Sequence, residues 1–311
     1  MRIVISGGTG LIGKALGHAL FARGDQLVVL TRSKGSALEH KCAECAGGRI
    51  EFVQWTPQKA GDWMKVVDGA DAVIHLAGAS VADERWTPER KRELHDSRTV
   101  STSLLAEAVA KAAKKPSVLV SASGVGHYGM KTGDAVLAET APPGDDFLAM
   151  LTKDWEDATK AASDAGVRVC LARIGLVLGK GGGVYDRLGK IFRAFIGGPV
   201  GSGDQYMPWI HLRDVVRAIT TMVDRSDLSG AFNVASPEPV TMDEFAHAMG
   251  ASMRRPSVFR VPAFAVKMVM GSEAAECVLT GQRAIPKRLV EAGFDFLYPD
   301  LRSALADLAA S

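Results

Sequence analysis

The stretch Arg2-Ile3-Val4-Ile5-Ser6-Gly7-Gly8-Thr9-Gly10-Leu11-Ile12-Gly13 decides the fold. Residues 2–6 are a short apolar run rich in β-branched side chains, the pattern of a strand buried on both faces. From Leu11 to Arg23 the residues Leu11, Ile12, Ala15, Leu16, Ala19 and Leu20 fall on one helical face, and Gly24 ends the helix. A glycine-rich turn between a first strand and a first helix is a dinucleotide-binding turn. Gly7 permits the tight bend. Gly10 removes a Cβ from the path of a pyrophosphate, and Gly13 lets helix and strand pack closely. Thr9, Leu11 and Ile12 complete the loop, and the free N–H groups at the helix start face the phosphates.

Working outward, apolar runs at residues 27–30, 50–53, 72–77, 118–121 and 167–172 alternate with helical stretches near 89–113 and 147–165. That alternation predicts βαβ units and a parallel sheet covered on both faces. Beyond residue 175 the texture changes to glycine-rich loops (179–183 and 197–203), shorter helices and a proline-punctuated tail. The expected architecture is α/β. A Rossmann-type doubly wound parallel sheet spans 1–175, and a smaller substrate lobe, partly interleaved with the sheet, spans 176–311. The two glycine-rich loops are expected to close over the substrate.

The net charge of +2 gives no reason to expect nucleic acid or an acidic membrane as partner. No apolar run reaches the roughly 18 residues that span a bilayer. Cys42 and Cys45 form a CxxC without the second pair that a zinc site needs, so they read as loop cysteines and no metal is expected. Cys170 lies in an apolar run and reads as a small buried hydrophobe. Four scattered thiols, with a strand beginning at once after Met1, fit a cytoplasmic protein.

The second strand ends in Leu30-Thr31-Arg32. An NAD-specific site places an acidic residue here to accept from the ribose 2′-hydroxyl. Arg32, with Ser33 and Lys34 beside it, instead suits a 2′-phosphate, so NADP(H) is the expected cofactor. The fourth strand ends in His75-Leu76-Ala77-Gly78, whose small residues allow a cofactor to pass closely. His75 is expected to order the strand end rather than perform chemistry.

Several further segments carry a specific resemblance. They include Arg92-Glu93 with Asp96-Ser97-Arg98, Ser121-Ala122-Ser123-Gly124-Val125-Gly126-His127-Tyr128-Gly129, Asp154-Trp155-Glu156 and Arg173-Ile174-Gly175-Leu176-Val177-Leu178-Gly179. Others are Gly197-Gly198-Pro199, Trp209-Ile210-His211 and the tail segments Leu279-Thr280-Gly281-Gln282-Arg283 and Pro286-Lys287-Arg288-Leu289. Over nearly the whole chain this resembles the YfcH-type epimerase family, atypical members of the extended short-chain dehydrogenase/reductase superfamily. The resemblance implies cofactor contacts at Leu76, Ala77, Gly78, Glu93, Arg98 and Val177. The expected partner is an unidentified small-molecule substrate, with a sugar or its nucleotide derivative as one option, and a homodimer is one option for assembly.

The superfamily's usual chemistry uses a Tyr and a Lys four apart on one helix face. The corresponding helix here contains no Tyr. Aligned on Glu156, Leu148 takes the Tyr place and Thr152 the Lys place. Lys153 is one residue off, about 100° around the helix. The remaining phenol nearby is Tyr128, with Ser123 close in sequence and His127 between them. Ser123 and Tyr128 are therefore the candidate acid/base pair, and lining the pocket without reacting is the competing role. His211 and Asp214 read either as substrate-binding groups or as a helix cap and ion pair. The cluster Gln282, Arg283, Lys287 and Arg288 reads either as an anion contact or as a solvated face. Two functions remain open: an NADP(H)-dependent oxidoreductase or epimerase, and an NADP(H)-sensing regulator that has lost the catalytic pair.

Overall fold

The computed structural model describes residues 1–33 and 49–310. Lys34, Cys42 and Cys45 fall outside them. Among the described residues thirteen strands are numbered in chain order, and seven make the central sheet. These are β1 (Arg2–Ser6), β2 (Gln26–Thr31), β3 (Ile50–Gln54), β4 (Ala72–His75), β5 (Val118–Gly124), β7 (Arg168–Ile174) and β11 (Gly230–Val234). They lie in the order β11-β7-β5-β4-β1-β2-β3, and every pair is parallel. The chain runs outward from β1 through β2 and β3 on one side and through β4 on the other. The carboxyl ends of β1 and β4 therefore flank a crevice where the winding reverses.

The continuous apolar strands are explained by burial on both faces. Ile3 and Ile5 enter a core with Leu16 and Leu20 of α1 (Leu11–Ala22) and with Val215, Ile219 and Met222 of α6 (Leu212–Asp224). Val4 points the other way, into a core with Leu105 and Val109 of α2 (Pro88–Lys111) and Ala162 of α4 (Lys160–Asp164). The doubly wound α/β fold is thus present. Two boundaries differ from the sequence reading. β4 stops at His75, where Leu76 turns to lie against Gly7. The stretch 147–165 is two helices, α3 (Phe147–Asp157) and α4, separated by a tighter turn in which Thr159 N donates to Glu156 O at 3.1 Å.

After β7 the chain makes β8 (Leu176–Leu178), α5 (Gly183–Arg193), β9 (Tyr206–Met207) and β10 (Trp209–His211). It then returns to the sheet as α6 and β11, so the boundary expected at residue 175 is crossed by the chain. The lobe resumes with β12 (Val240–Thr241), α7 (Met242–Ser252), α8 (Ala263–Met270) and α9 (Ser272–Leu279). It ends with β13 (Gly281–Ala284), which pairs with β6 (Lys131–Leu137), then α10 (Lys287–Glu291) and α11 (Leu301–Ala310). Phe192, Trp209, Phe245, Met249 and Leu305 form the lobe's core. Among the described residues no helix is long and apolar enough to cross a membrane.

Candidate cofactor and substrate site

The glycine loop closes over the crevice by backbone contact. Gly7 sits at φ +71°, a conformation that favours glycine, and a Cβ there would lie 2.6 Å from the Leu76 carbonyl carbon. A Cβ on Gly13 would lie 2.2 Å from Gly7 O, so this glycine lets α1 pack on the loop itself. Gly10 is different. Its Cβ would meet Gly7 O at 3.4 Å and, among the described residues, no other atom within 4 Å. Gly10 also caps α1 without a side-chain hydrogen bond, and the helix's first turn holds no acidic residue. Uncapped N–H groups at a helix start, beside open space, fit an anion. A phosphate-bearing dinucleotide therefore fits the residues present.

The flanking residues are placed as follows. Thr31 is buried, with Oγ1 accepting from Ser33 N at 3.2 Å, while Arg32 is exposed at the carboxyl end of β2. Leu76 and Ala77 are half-buried beside the loop. Gly78 serves a purpose that was not anticipated: a Cβ there would lie 3.3 Å from Arg98 Cζ, so its smallness accommodates an arginine beneath it. Arg98 donates to Leu94 O and Ala79 O at 2.9 and 2.8 Å and stacks 5.1 Å from the Trp155 ring. Among the described residues no carboxylate pairs with it. Burial, with the neighbouring Arg90 charge, lowers its pKa to about 10. Glu93 instead accepts from Arg90 at 2.5 Å. Val177 lies in β8 opposite Ile210.

His75 orders the strand end. Its ring bridges Ser6 Oγ at 2.5 Å and Ser101 Oγ at 3.3 Å, joining β1, β4 and α2. Full burial lowers its pKa to about 4, so it is neutral near pH 7.

Ser123 and Tyr128 belong to one buried polar network but do not touch each other. Ser123 Oγ donates to Glu156 Oε1 at 2.6 Å. Arg173 donates to both oxygens of Glu156, each at 2.8 Å, and also to Tyr128 OH at 3.1 Å. Tyr128 in turn donates to Asn233 Oδ1 at 2.7 Å. Burial raises the Tyr128 pKa against the pull of Arg173. His127, kept neutral by burial, has Nδ1 3.7 Å from Glu156. Glu156, Arg173 and Asn233 were not singled out as functional residues. An arginine closing the apolar strand 167–172 was the available signal, because a buried charge requires a partner.

Leu148 and Thr152 stand where the superfamily's relay would be. A Cβ on Gly126 would touch Leu148 Cβ at 3.3 Å, and one on Gly124 would lie 3.8 Å from Thr152 Cγ2. Thr152 Oγ1 donates back to Leu148 O and Ala149 O. Lys153 points to solvent and pairs with Asp157 at 2.8 Å.

The glycine-rich loops divide in role. Gly183 reaches the nucleotide loop, with its Cβ position 3.1 Å from Leu11 Cδ2. Gly197, Gly198 and Gly203 pack instead against Phe192, the Phe259 backbone and Asp243 within the lobe. His211 Nδ1 accepts from Arg213 N, capping α6, and Asp214 accepts from the backbone of Leu297 and Tyr298. The tail cluster is architectural as well. Gln282 donates to Gly129 O, Arg283 stacks on Tyr206, and Arg288 clamps Ala231 O and Ser229 O at the sheet edge.

Comparison with known proteins places the chain in a family. Residues 3–235 match the NAD dependent epimerase/dehydratase family, and residues 261–308 match a domain of unknown function, DUF1731. The epimerase family protein ML0860 of Mycobacterium leprae is 39% identical over 98% of this chain and 94% of its own. The crystal structure of human epimerase family protein SDR39U1 (isoform 2) with NADPH superposes with a TM-score of 0.89 at 32% identity, covering both chains fully. A nucleoside-diphosphate sugar epimerase from Corynebacterium glutamicum gives 0.79 at 30% identity, over 99% of this chain and 58% of that one.

Proposed function

Because the chain belongs to the NAD dependent epimerase/dehydratase family, we propose that it binds NADP(H) and acts as an oxidoreductase or epimerase on a small hydroxyl- or carbonyl-bearing substrate. The observation that carries this reading is the open side of Gly10 beside an uncapped α1 at the sheet's switch point. The NADPH in the human relative's crystal structure supports it.

The Gly7–Gly13 loop holds the pyrophosphate through Leu11, Ile12 and Gly13 N–H groups, with Thr9 at its rim. Arg32 receives the 2′-phosphate next to Thr31. Leu76, Ala77 and Gly78 wall the crevice, and Arg98 adds positive charge from beneath. Glu93, held by Arg90, would accept a hydrogen bond from a ribose hydroxyl. Val177 bounds the nicotinamide end. When bound, the cofactor donates or accepts a hydride.

Leu148 has no exchangeable proton, and the Thr152 hydroxyl is taken up by the Leu148 and Ala149 carbonyls. Ser123 and Tyr128 are the candidate hydroxyls that remain. Their hydrogen bonds to Glu156 and Asn233 favour a positioning role, in which they fix β5 to α3 and the turn at 125–128 to β11. The same two helix positions favour a second reading, an NADP(H)-sensing regulatory protein. Following NADPH absorbance across a panel of carbonyl compounds separates the two. Oxidation with at least one class is expected; tight NADPH binding with neither NADPH oxidation nor an epimerised product, checked by NMR of the same mixtures, would favour the sensor. Turnover that persists in Tyr128→Phe would exclude this phenol as the proton donor.

A further inference from the structure

We infer that the substrate half of this site takes a ligand with an uncharged apolar body, a small alkyl or aryl carbonyl compound or alcohol, rather than a nucleoside diphosphate sugar. The carbonyl or hydroxyl in that description rests on the oxidoreductase reading above; the apolar body is read from the walls of a cavity.

The cavity holds about 210 Å³ and is walled by Leu176, Val184, Leu188, Phe192, Met207 and Phe245. It approaches the cofactor crevice through the start of α5: Val184 lines it, and the preceding Gly183 has its Cβ position 3.1 Å from Leu11 Cδ2 at the start of α1. An apolar cavity of roughly 150 Å³ takes up benzene. This one therefore accommodates a ring with a short substituent and excludes a nucleotide.

Among the described residues, no side chain lining the cavity carries a charge. Cys277 alone brings a polar hydrogen, and its Sγ lies 3.6 Å from Met130 Sδ. Burial, reinforced by Asp146, pushes that thiol up to about 12, so it stays neutral. A diphosphate buried here would lose its hydration without a cation or a set of donors to replace it. An apolar group gains by entering.

The surface beside the cavity is apolar in part, with Arg260 there paired to Asp243. Gly198 and Val200 form part of the wall and run beside residues 258–261, with Val261 N donating to Pro199 O at 2.8 Å and Gly201 N to Val261 O at 2.9 Å. The adjoining Ile196, Val258 and Phe259 are 59, 74 and 56% exposed. An exposed apolar strip continuous with an apolar cavity marks a ligand approach.

Saturation-transfer NMR on the NADPH-saturated protein tests the inference, with acetophenone and cyclohexanone as probes and UDP-glucose as rival. At least one probe is expected to bind. Val184→Trp and Leu188→Trp fill the cavity from half-buried positions, and NADPH affinity reports that they fold. Both should weaken the probe roughly tenfold or more, and UDP-glucose should neither bind nor displace it. Binding of UDP-glucose, absence of binding by both probes, or probe binding unchanged in both folded tryptophan variants would overturn the inference. Probe binding with no NADPH consumption across the carbonyl panel would uphold the apolar cavity and count against the oxidoreductase reading. Turnover of UDP-glucose would do the reverse.

Discussion

The Gly7–Gly13 loop and the Ser123–Glu156–Arg173–Tyr128 network both stand toward the carboxyl ends of strands in one sheet, and they treat their polar groups in opposite ways. At the loop, α1 starts without a side-chain cap and Gly10 faces free space. In the network, Glu156 takes three charge-assisted or hydroxyl bonds of 2.6–2.8 Å, and the Tyr128 hydroxyl both donates and accepts. Donors left without protein partners at a sheet's switch point await a ligand. Polar groups that satisfy one another hold the fold. The contrast separates binding from architecture within a single edge, and substitutions on either side can break it.

The largest effect is expected in the network. Glu156→Ala leaves the Arg173 guanidinium buried without its carboxylate; the two side chains are only 9 and 7% exposed. Breaking one side of such a pair destabilises by about 3–5 kcal/mol. Urea unfolding should show that loss, while the folded fraction keeps its NADPH affinity. A stable variant that fails to bind NADPH would merge the two regions into one functional unit.

A pair of alanine substitutions sharpens the loop side. Gly10→Ala adds a methyl group to free space, so thermal stability should hold while NADPH affinity falls roughly a hundredfold, because only the ligand contests that volume. Gly13→Ala forces a Cβ to within 2.2 Å of Gly7 O. It should lose binding and also about 1–3 kcal/mol of stability through overpacking. Calorimetry and fluorescence titration together distinguish the two. Equal stability losses would mean that Gly10 serves packing rather than access.

The loop was readable from sequence because its physics is local: a strand, a turn and a helix within twelve residues. The parallel sheet was readable for a similar reason, since burial on both faces leaves continuous apolar runs. The network was not, because its bonds join residues far apart in the chain. Tyr128 meets Asn233 across 105 positions and Arg173 across 45. Sequence proximity instead suggested a Ser123–Tyr128 pair that the structure divides between two partners. Gly78 has a second reason for its smallness that sequence proximity did not show: the side chain beneath it is Arg98, twenty residues later in the chain. The tail cluster from Gln282 to Arg288 looked solvated or anion-binding because its carbonyl partners at Gly129, Ser229 and Ala231 leave no trace in residue type.

The smallest expected effect lies at the edge of the loop region, where a charge meets water. Arg32 is exposed at the end of β2. Exposed ion pairs are weak and screened by salt, so its contribution to a 2′-phosphate is modest compared with that of the buried loop. Arg32→Ala should weaken NADPH by roughly tenfold and leave NADH unchanged. In the wild-type protein, raising the salt concentration should narrow the gap between the two cofactors for the same reason. Arg32→Asp should go further and favour NADH, because a carboxylate repels the phosphate and accepts from the 2′-hydroxyl. Parallel titrations of both cofactors with each variant decide the point. If Arg32→Ala weakens NADH and NADPH equally, Arg32 acts by stacking on adenine, and cofactor selectivity resides in another residue.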